Sequence, residues 1–439
     1  MPFDSPESIA DQAQPVCQEA TEDPAVGHGQ AREEPGNLLL AELRHTFRSF
    51  RHRNFRLYFV GQLVSLSGTW MQSLAVNWLV YRLTKSAFML GVVNFAGLVP
   101  VLVLGLAGGW VADRADRRQT LLVMQALAML QAIALAVLTF SGRLEVWHVI
   151  VLAAFLGAVN AFEMPARQAL VVNMVRQEDV VNAISLNASL FHAARTVGPA
   201  AAGILVATAG EGTCFALNAV SFLAALVAIW LIRVPRARAV DPADREALHV
   251  AEAFRFAFST PHVRNVLALA AAASLFGMPY LVLMPVVASE VLHREVGALG
   301  ALMAGASVGS CAAALMLANR ATGELLRAGV GYACLGFSAA LFAFAVSANF
   351  YLSLALTVPL GFCITSQLSG SHSLLQLAVS DELRGRVSSI WMMNMLGLLP
   401  LGSIVVGWFA SLYGASTALV GCAGLCAISA VFYLKRLQP

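Results

Sequence analysis

Residues 87–118 read AFMLGVVNFAGLVPVLVLGLAGGWVADRADRR. About 25 uncharged residues run straight into a basic turn, and about twenty apolar residues are enough for a helix to cross a hydrocarbon core. The same alternation recurs along the chain. Apolar blocks fall near 56–82, 87–111, 120–141, 147–173, 183–208, 213–232, 263–288, 297–318, 328–347, 350–377, 386–411 and 414–434. The 439 residues are 58% hydrophobic and 12% charged, with a mean hydropathy of +0.72. A soluble chain of this length needs far more charge to cover its surface. The expectation is an all-α membrane protein of twelve transmembrane helices.

Residues 1–45 are polar and carry no apolar core of the signal-peptide kind, which reads as a disordered cytoplasmic tail. Arg44, Arg48, Arg51, Arg53 and Arg56 follow and are expected to lie against anionic headgroups. With the N-terminus inside, most of the 28 Lys and Arg residues fall at cytoplasmic ends. Arg82, Lys85, Arg143 and Arg294 fall on the opposite side, and Arg167 and Arg195 within spans. An even number of spans with both termini cytoplasmic follows.

The longest loop, 233–261, divides the spans into a six-helix half at 46–232 and another at 262–439. An offset of 204 positions brings Gly105 onto Gly309, Gly157 onto Gly361, Glu178 onto Glu382, Ser185 onto Ser389, Gly203 onto Gly407 and Gly210 onto Gly414. This pattern points to a duplicated six-span unit, the plan of the major facilitator superfamily.

The turn from Gly109 through Asp113, Arg114, Asp116, Arg117 and Arg118 resembles that superfamily's signature G-x-x-x-D-R-x-G-R-R, with Asp116 where the family has glycine. Gly109 allows close helix approach, and Asp113 caps the next helix or pairs with an arginine. The resemblance implies a latch on the cytoplasmic face in the outward-open state. Span 5, from Ala194 and Arg195 through Gly198, Pro199, Ala202 and Gly203, looks like the antiporter motif G-x-x-x-G-P-x-x-G-G, with alanines at two glycine positions. It implies exchange of a proton for substrate, while generic small-residue packing reads the same stretch without transport.

Span 4 holds Asn160, Glu163, Pro165, Arg167 and Gln168. A carboxylate and a guanidinium in an apolar helix are costly unless paired or hydrated, and acid-first i,i+4 spacing favours a same-face pair. Glu163 is therefore a candidate proton-coupling carboxylate, or one half of a static ion pair. Arg167 and Arg195 are candidate gate residues beside it. Polar stripes on span 1 (Gln62, Ser65, Thr69, Gln72, with Asn77 beyond) and span 10 (Thr365, Ser369, His372, Gln376) either line a substrate cavity with Asn160 or bond helix to helix.

Asn54-Phe-Arg-Leu57, Gly61-Gln-Leu-Val-Ser65, Pro165-Ala-Arg-Gln168, Asn182-Ala183, Leu217-Asn-Ala219 and Arg384-Gly-Arg-Val387 resemble the enterobactin-exporter-like (transmembrane secretion effector) branch. The resemblance implies a major facilitator fold and a proton-coupled exporter of siderophores, drugs or secondary metabolites in the bacterial inner membrane. Proton-coupled import, or a non-transporting sensor or assembly partner, are the alternatives. An ATP pump lacks its GxxxxGK[ST] loop, since the only lysines are Lys85 and Lys435. No HExxH or GxSxG marks an enzyme, and the seven scattered cysteines show no metal spacing. The expected partners are a small-molecule substrate, protons and the lipid bilayer, with no cofactor, metal or nucleic acid, and with the chain acting as a monomer.

Overall fold

The structure, a computed structural model, describes residues 47–233, 259–320, 323–379 and 381–437. The expected tail 1–45 and most of the loop 233–261 lie outside the described residues. A 3-10 turn, Arg48–Arg51, leads into α1 (Arg53–Thr84), α2 (Ala87–Arg114), α3 (Arg117–Phe140), α4 (Val146–Asn173), α5 (Val180–Ala209) and α6 (Glu211–Leu231). After the loop come α7 (Pro261–Val291), α8 (Val296–Arg320), α9 (Gly323–Val346), α10 (Phe350–Leu377), α11 (Asp381–Tyr413) and α12 (Ala415–Lys435).

Among the described residues, 11 helices are long and apolar enough to cross a membrane. The twelfth long helix is α1, whose 32 residues include Gln62, Ser65, Thr69, Gln72 and Asn77. Large side chains such as Leu106, Trp230 and Ile428 point outward, which suits a body solvated by lipid.

Short polar residues set the helix starts. Ser86 accepts from the Met89 amide at the head of α2, and Asn349 accepts from Tyr351 and Leu352 at the head of α10. Asp116 caps α3 by accepting from the amides of Arg118 and Gln119, an ordinary N-cap arrangement. Asp116, where the family has glycine, thus holds this turn, and Asp113 lies inside α2. Gly210 and Gly414, 204 positions apart, sit at the α5–α6 and α11–α12 corners with φ of 79° and 86°. That left-handed backbone needs glycine.

The seventh span is not one regular helix. It breaks into Pro261–Ala272, a π turn at Ala273–Gly277, Tyr280–Val286 and a second π turn at Val287–Val291. Pro279 and Pro285 bring no N–H, and the ladder shifts register so that Met278 donates to Ala273 O (2.8 Å) and Leu292 to Val287 O (2.9 Å).

The helices pack as two groups. In α1–α6, α2 packs on α4, α3 on α4 and α6, and α1 on α5 and α6; in α7–α12, α8 and α9 pack on α10, and α9 on α12. Two extensive pairs, α2 with α11 and α5 with α8, join the groups, with a smaller contact of α7 on α1 and α2. We call the end carrying Arg48, Arg51, Arg114 and Arg118 the basic face and the opposite end the far face.

Candidate translocation site

Glu163 lies on α4 and is only 6% exposed. Gln125 Nε2 of α3 donates to its Oε1 (3.0 Å), and Arg167 Nη1 reaches the same oxygen at 3.3 Å. Ser65 Oγ of α1 donates to Gln125 Oε1 (3.4 Å), extending the chain to a third helix. The expected pair with Arg167 is therefore present, and the Gln125 amide replaces part of the lost hydration. Pro165, midway between the two, leaves α4 continuous. Gln125 was not legible beforehand, although its amide, like that of Gln131, within the apolar stretch of α3 was the available signal.

A second network lies toward the far face. Gln72 Nε2 donates to Gln131 Oε1 (2.9 Å) and Asn218 Nδ2 to Gln72 Oε1 (2.9 Å), tying α1 to α3 and α6. Asn94 Nδ2 donates to Asn77 Oδ1 (3.0 Å) from α2. All of these amides but Asn218 border a cavity of about 330 Å³ within the first group. Thr69, Gln72, Asn77 and Asn160 are on its wall, together with Trp70, Asn94 and Gln131. Gln62 does not line it: the residue is 1% exposed, and among the described residues neither atom of its amide has a hydrogen-bond partner.

The span 10 stripe divides differently. His372 stacks on Trp391 of α11 with ring centroids 5.4 Å apart, and Gln376 Nε2 donates to Ser388 Oγ (2.8 Å). Both tie α10 to α11. Ser369 is exposed and Thr365 half-buried.

Arg195 stands apart from Glu163. Its guanidinium lies 5.4 Å from the centroid of the Trp70 ring, and its backbone carbonyl accepts from Ser307 of α8 (3.1 Å). It is therefore at the α5–α8 junction between the groups. Gly198 packs on Ser67 O and Trp70 of α1, and Gly203 faces Gly297 and Gly300 of α8, with Pro199 O against Gly300.

That junction belongs to a seam on the far side. Gly91 of α2 meets the Ser403 carbonyl of α11, and Gly407 meets Ala87 O. Tyr81 OH of α1 donates to Glu290 at the end of α7. Tyr280–Val286 of α7 touches α1 and α2, whereas Pro261–Ala272 packs on α10, α11 and α12 of its own group. Nearer the basic face the same stripe of α2 is bare. Leu102 reaches α11 at Gly397, while Gly105 and Gly109 have nothing near their Cβ positions, and Leu106 is 90% exposed.

The basic face of the first group is stapled to itself. Asp179, 1% exposed in the turn before α5, receives Arg48 (3.1 Å), Arg51 (3.3 Å) and His52 (2.8 Å). The His52 hydrogen bond first, then the charges of Arg51 and Arg48, hold its carboxyl below the usual carboxylate range, against the opposing effect of burial. Arg48 and Arg51, expected at lipid headgroups, thus turn onto a carboxylate instead. Asn54 exchanges bonds with the Arg233 backbone (2.8 and 3.4 Å), and Arg118 Nε donates to Ile229 O at the end of α6 (2.9 Å). Arg114 lies over the Trp110 ring. Arg117 and Asp113 are half-buried in the same turn.

The profile of the transmembrane secretion effector family matches residues 44–439. The staphyloferrin A transporter of Staphylococcus aureus is 26% identical over 394 residues, covering 87% of this chain and 96% of that protein. The multidrug efflux pump Tap of Mycolicibacterium fortuitum is 26% identical, covering 80% and 88%. The enterobactin exporter EntS of Salmonella typhi is 22% identical, covering 81% and 85%. Among solved structures, a bacterial homologue of the human lysosomal transporter Spinster, inward-facing and unoccupied, superposes with a TM-score of 0.70. It covers 87% of this chain and 97% of its own, at 14% identity, and so speaks for the fold alone. With a family match across nearly all of its helices, this chain is a multi-pass membrane transporter, not an enzyme, and belongs to the transmembrane secretion effector family of the major facilitator superfamily.

Proposed function

We propose that the protein is a proton-driven exporter of small molecules such as siderophores, drugs or secondary metabolites. It lies in a bacterial inner membrane with the basic face and both termini cytoplasmic. The observation that carries this reading is the asymmetry between the groups: a tight far seam and a bare near half on the same helices. Rocking the groups about the site exchanges the two faces, and the present arrangement is the one that loads from the cytoplasm. The positive-inside distribution supports that orientation, and the relatives whose names concern efflux and export support the direction.

Glu163 carries the proton in this reading. It is the carboxylate deepest in a span, and its partners Gln125 and Arg167 come from the helices that move with it. Arg167 gates by holding or releasing that carboxylate. Gly109, Asp113, Arg114, Arg117 and Arg118 latch the basic face when it closes, while Gly198, Pro199 and Gly203 shape the α5 side of the far seam. Thr69, Gln72, Asn77 and Asn160 contact the substrate.

The test compares small molecules inside and outside iron-starved host cells carrying a deletion, the wild type or Glu163→Gln. A metal chelator that builds up inside both the deletion and the glutamine variant supports export and coupling together. Uptake of a medium compound by the wild type alone would make the protein an importer. Full export by Glu163→Gln would remove the residue from coupling.

A further inference from the structure

A second cavity, of about 540 Å³, opens between α1, α4 and α5. Its walls are apolar at Leu66, Met164 and Phe191 and polar at Asn187, Arg167 and His192. His192 Nδ1 is buried, and among the described residues it has no hydrogen-bond partner. Buried polar atoms are normally satisfied, so this one points to a missing partner.

One helical turn further along α5 is Arg195. It is half-buried in the middle of a span, and among the described residues no carboxylate lies within ion-pair distance of it. Its guanidinium lies over the face of Trp70, a residue of the first cavity's wall whose edge packs on Phe191 of this one at 5.5 Å and 77°. A cation–π contact offsets only part of the cost of an intramembrane cation. The neighbouring charges do not cancel it. Glu163 is engaged by Arg167 and Gln125, which leaves Arg195 as surplus positive charge.

We propose that this cavity and Arg195 form the recognition site for a small organic anion: a carboxylate takes the guanidinium, and an apolar body lies along Leu66, Met164 and Phe191. The carboxylate supplies the counter-charge that the fold omits, in the two-point geometry a guanidinium favours. His192 Nδ1 bonds a polar group on the same body. The inference rests on the transport reading and narrows it to anionic, amphipathic cargo.

The test measures equilibrium binding to the full-length protein in lipid nanodiscs, with no proton gradient. The probes are 2-naphthoate and its neutral isostere 2-naphthamide. Wild type is expected to prefer the carboxylate by about tenfold or more, the usual scale of a charge-assisted hydrogen bond. Arg195→Gln reduces the preference to less than about twofold, and Arg195→Lys retains part of it, since it keeps the charge but not the fork. A thermal melt checks that the variants fold. Should Arg195→Gln not fold, Trp70→Leu serves: it weakens both probes and keeps the preference. Equal binding of the two probes by wild type, or an undiminished preference in Arg195→Gln, overturns the proposal. Loss of the preference in Trp70→Leu does so too. Binding is read at equilibrium with no proton gradient, so a failure of proton coupling leaves the wild-type preference in place, whereas a failure of this site removes it.

Discussion

The two helix groups bury different kinds of polar residue. In α1–α6 the buried polar side chains include Gln62, Gln72, Gln125, Gln131, Glu163, Asp179, Glu211 and Asn218. In α7–α12 they are Ser274, Ser307, Ser310, Ser338, Ser347, Ser353, Thr357, Ser366, Ser371 and Ser403, with Gln367 the one amide among the described residues. The bonds differ accordingly. The amides of the first group reach across to other helices. Several hydroxyls of the second return to their own helix alone, Ser338 to Cys334 O, Thr357 to Leu354 O and Ser403 to Leu399 O, while Ser307 and Ser310 also reach Arg195 O and Gly361 O. Every ion pair among the described residues also falls between Arg48 and Glu211.

An amide bonded between helices fixes their relative register, because sliding by one residue leaves both partners unsatisfied. A hydroxyl bonded to its own helix places no such demand on its neighbour. The first group therefore carries more of the bonds that fix register between helices, and the second fewer, Gln376 to Ser388 and Asn394 to Leu267 O among them. The π turns of α7 lie in the second group.

The contrast breaks most readily at Asn218, which is fully buried and bonds Gln72 and Ser221. Asn218→Leu strands the Gln72 carbonyl and is expected to cost about 2–3 kcal/mol, the penalty of an unsatisfied buried group, seen as a lower melting temperature in nanodiscs. A smaller, pH-dependent loss is expected for Asp179→Asn. The folded carboxyl is held low, so its contribution is complete at neutral pH and disappears only as pH falls below about 4. Melts of wild type and variant should differ at pH 7 and converge in acid, while a constant gap would assign the effect to shape alone. Ser338→Ala should cost least, about 1 kcal/mol or less, the net worth of one hydrogen bond, because its bond returns to Cys334 O one turn away. A drop as large as that of Asn218→Leu would remove the distinction between the groups.

Much of the architecture was legible because a span needs a long apolar block whatever surrounds it. The expected starts and ends of the spans therefore lie within a few residues of the helices. The break in α7 was not, although Pro279 and Pro285 were visible, since a π turn depends on which carbonyls find donors. Span 1 was readable as polar but not as two-faced: Thr69 and Asn77 meet the cavity, while Gln62 and Ser65 turn inward. Which face meets which neighbour is decided by the packing of α3 and α6, and no spacing along α1 encodes that. The Glu163–Arg167 pair was local and could be read from i,i+4 spacing. Asp179 with Arg48, Arg51 and His52 brings together residues about 130 positions apart, and only the fold juxtaposes them.

The far seam has a mechanical consequence. It is made where glycine lets one backbone rest on another, Gly203 on Gly300 and Gly91 on Ser403. Backbones this close leave no room for a side chain between them at those points. Around them Leu74, Leu90, Met284, Leu299 and Leu302, all fully buried, gather from both groups into one apolar cluster. Spacing and adhesion are thereby divided between residue types: the glycines set how near the groups come, and the large side chains supply the area that holds them there.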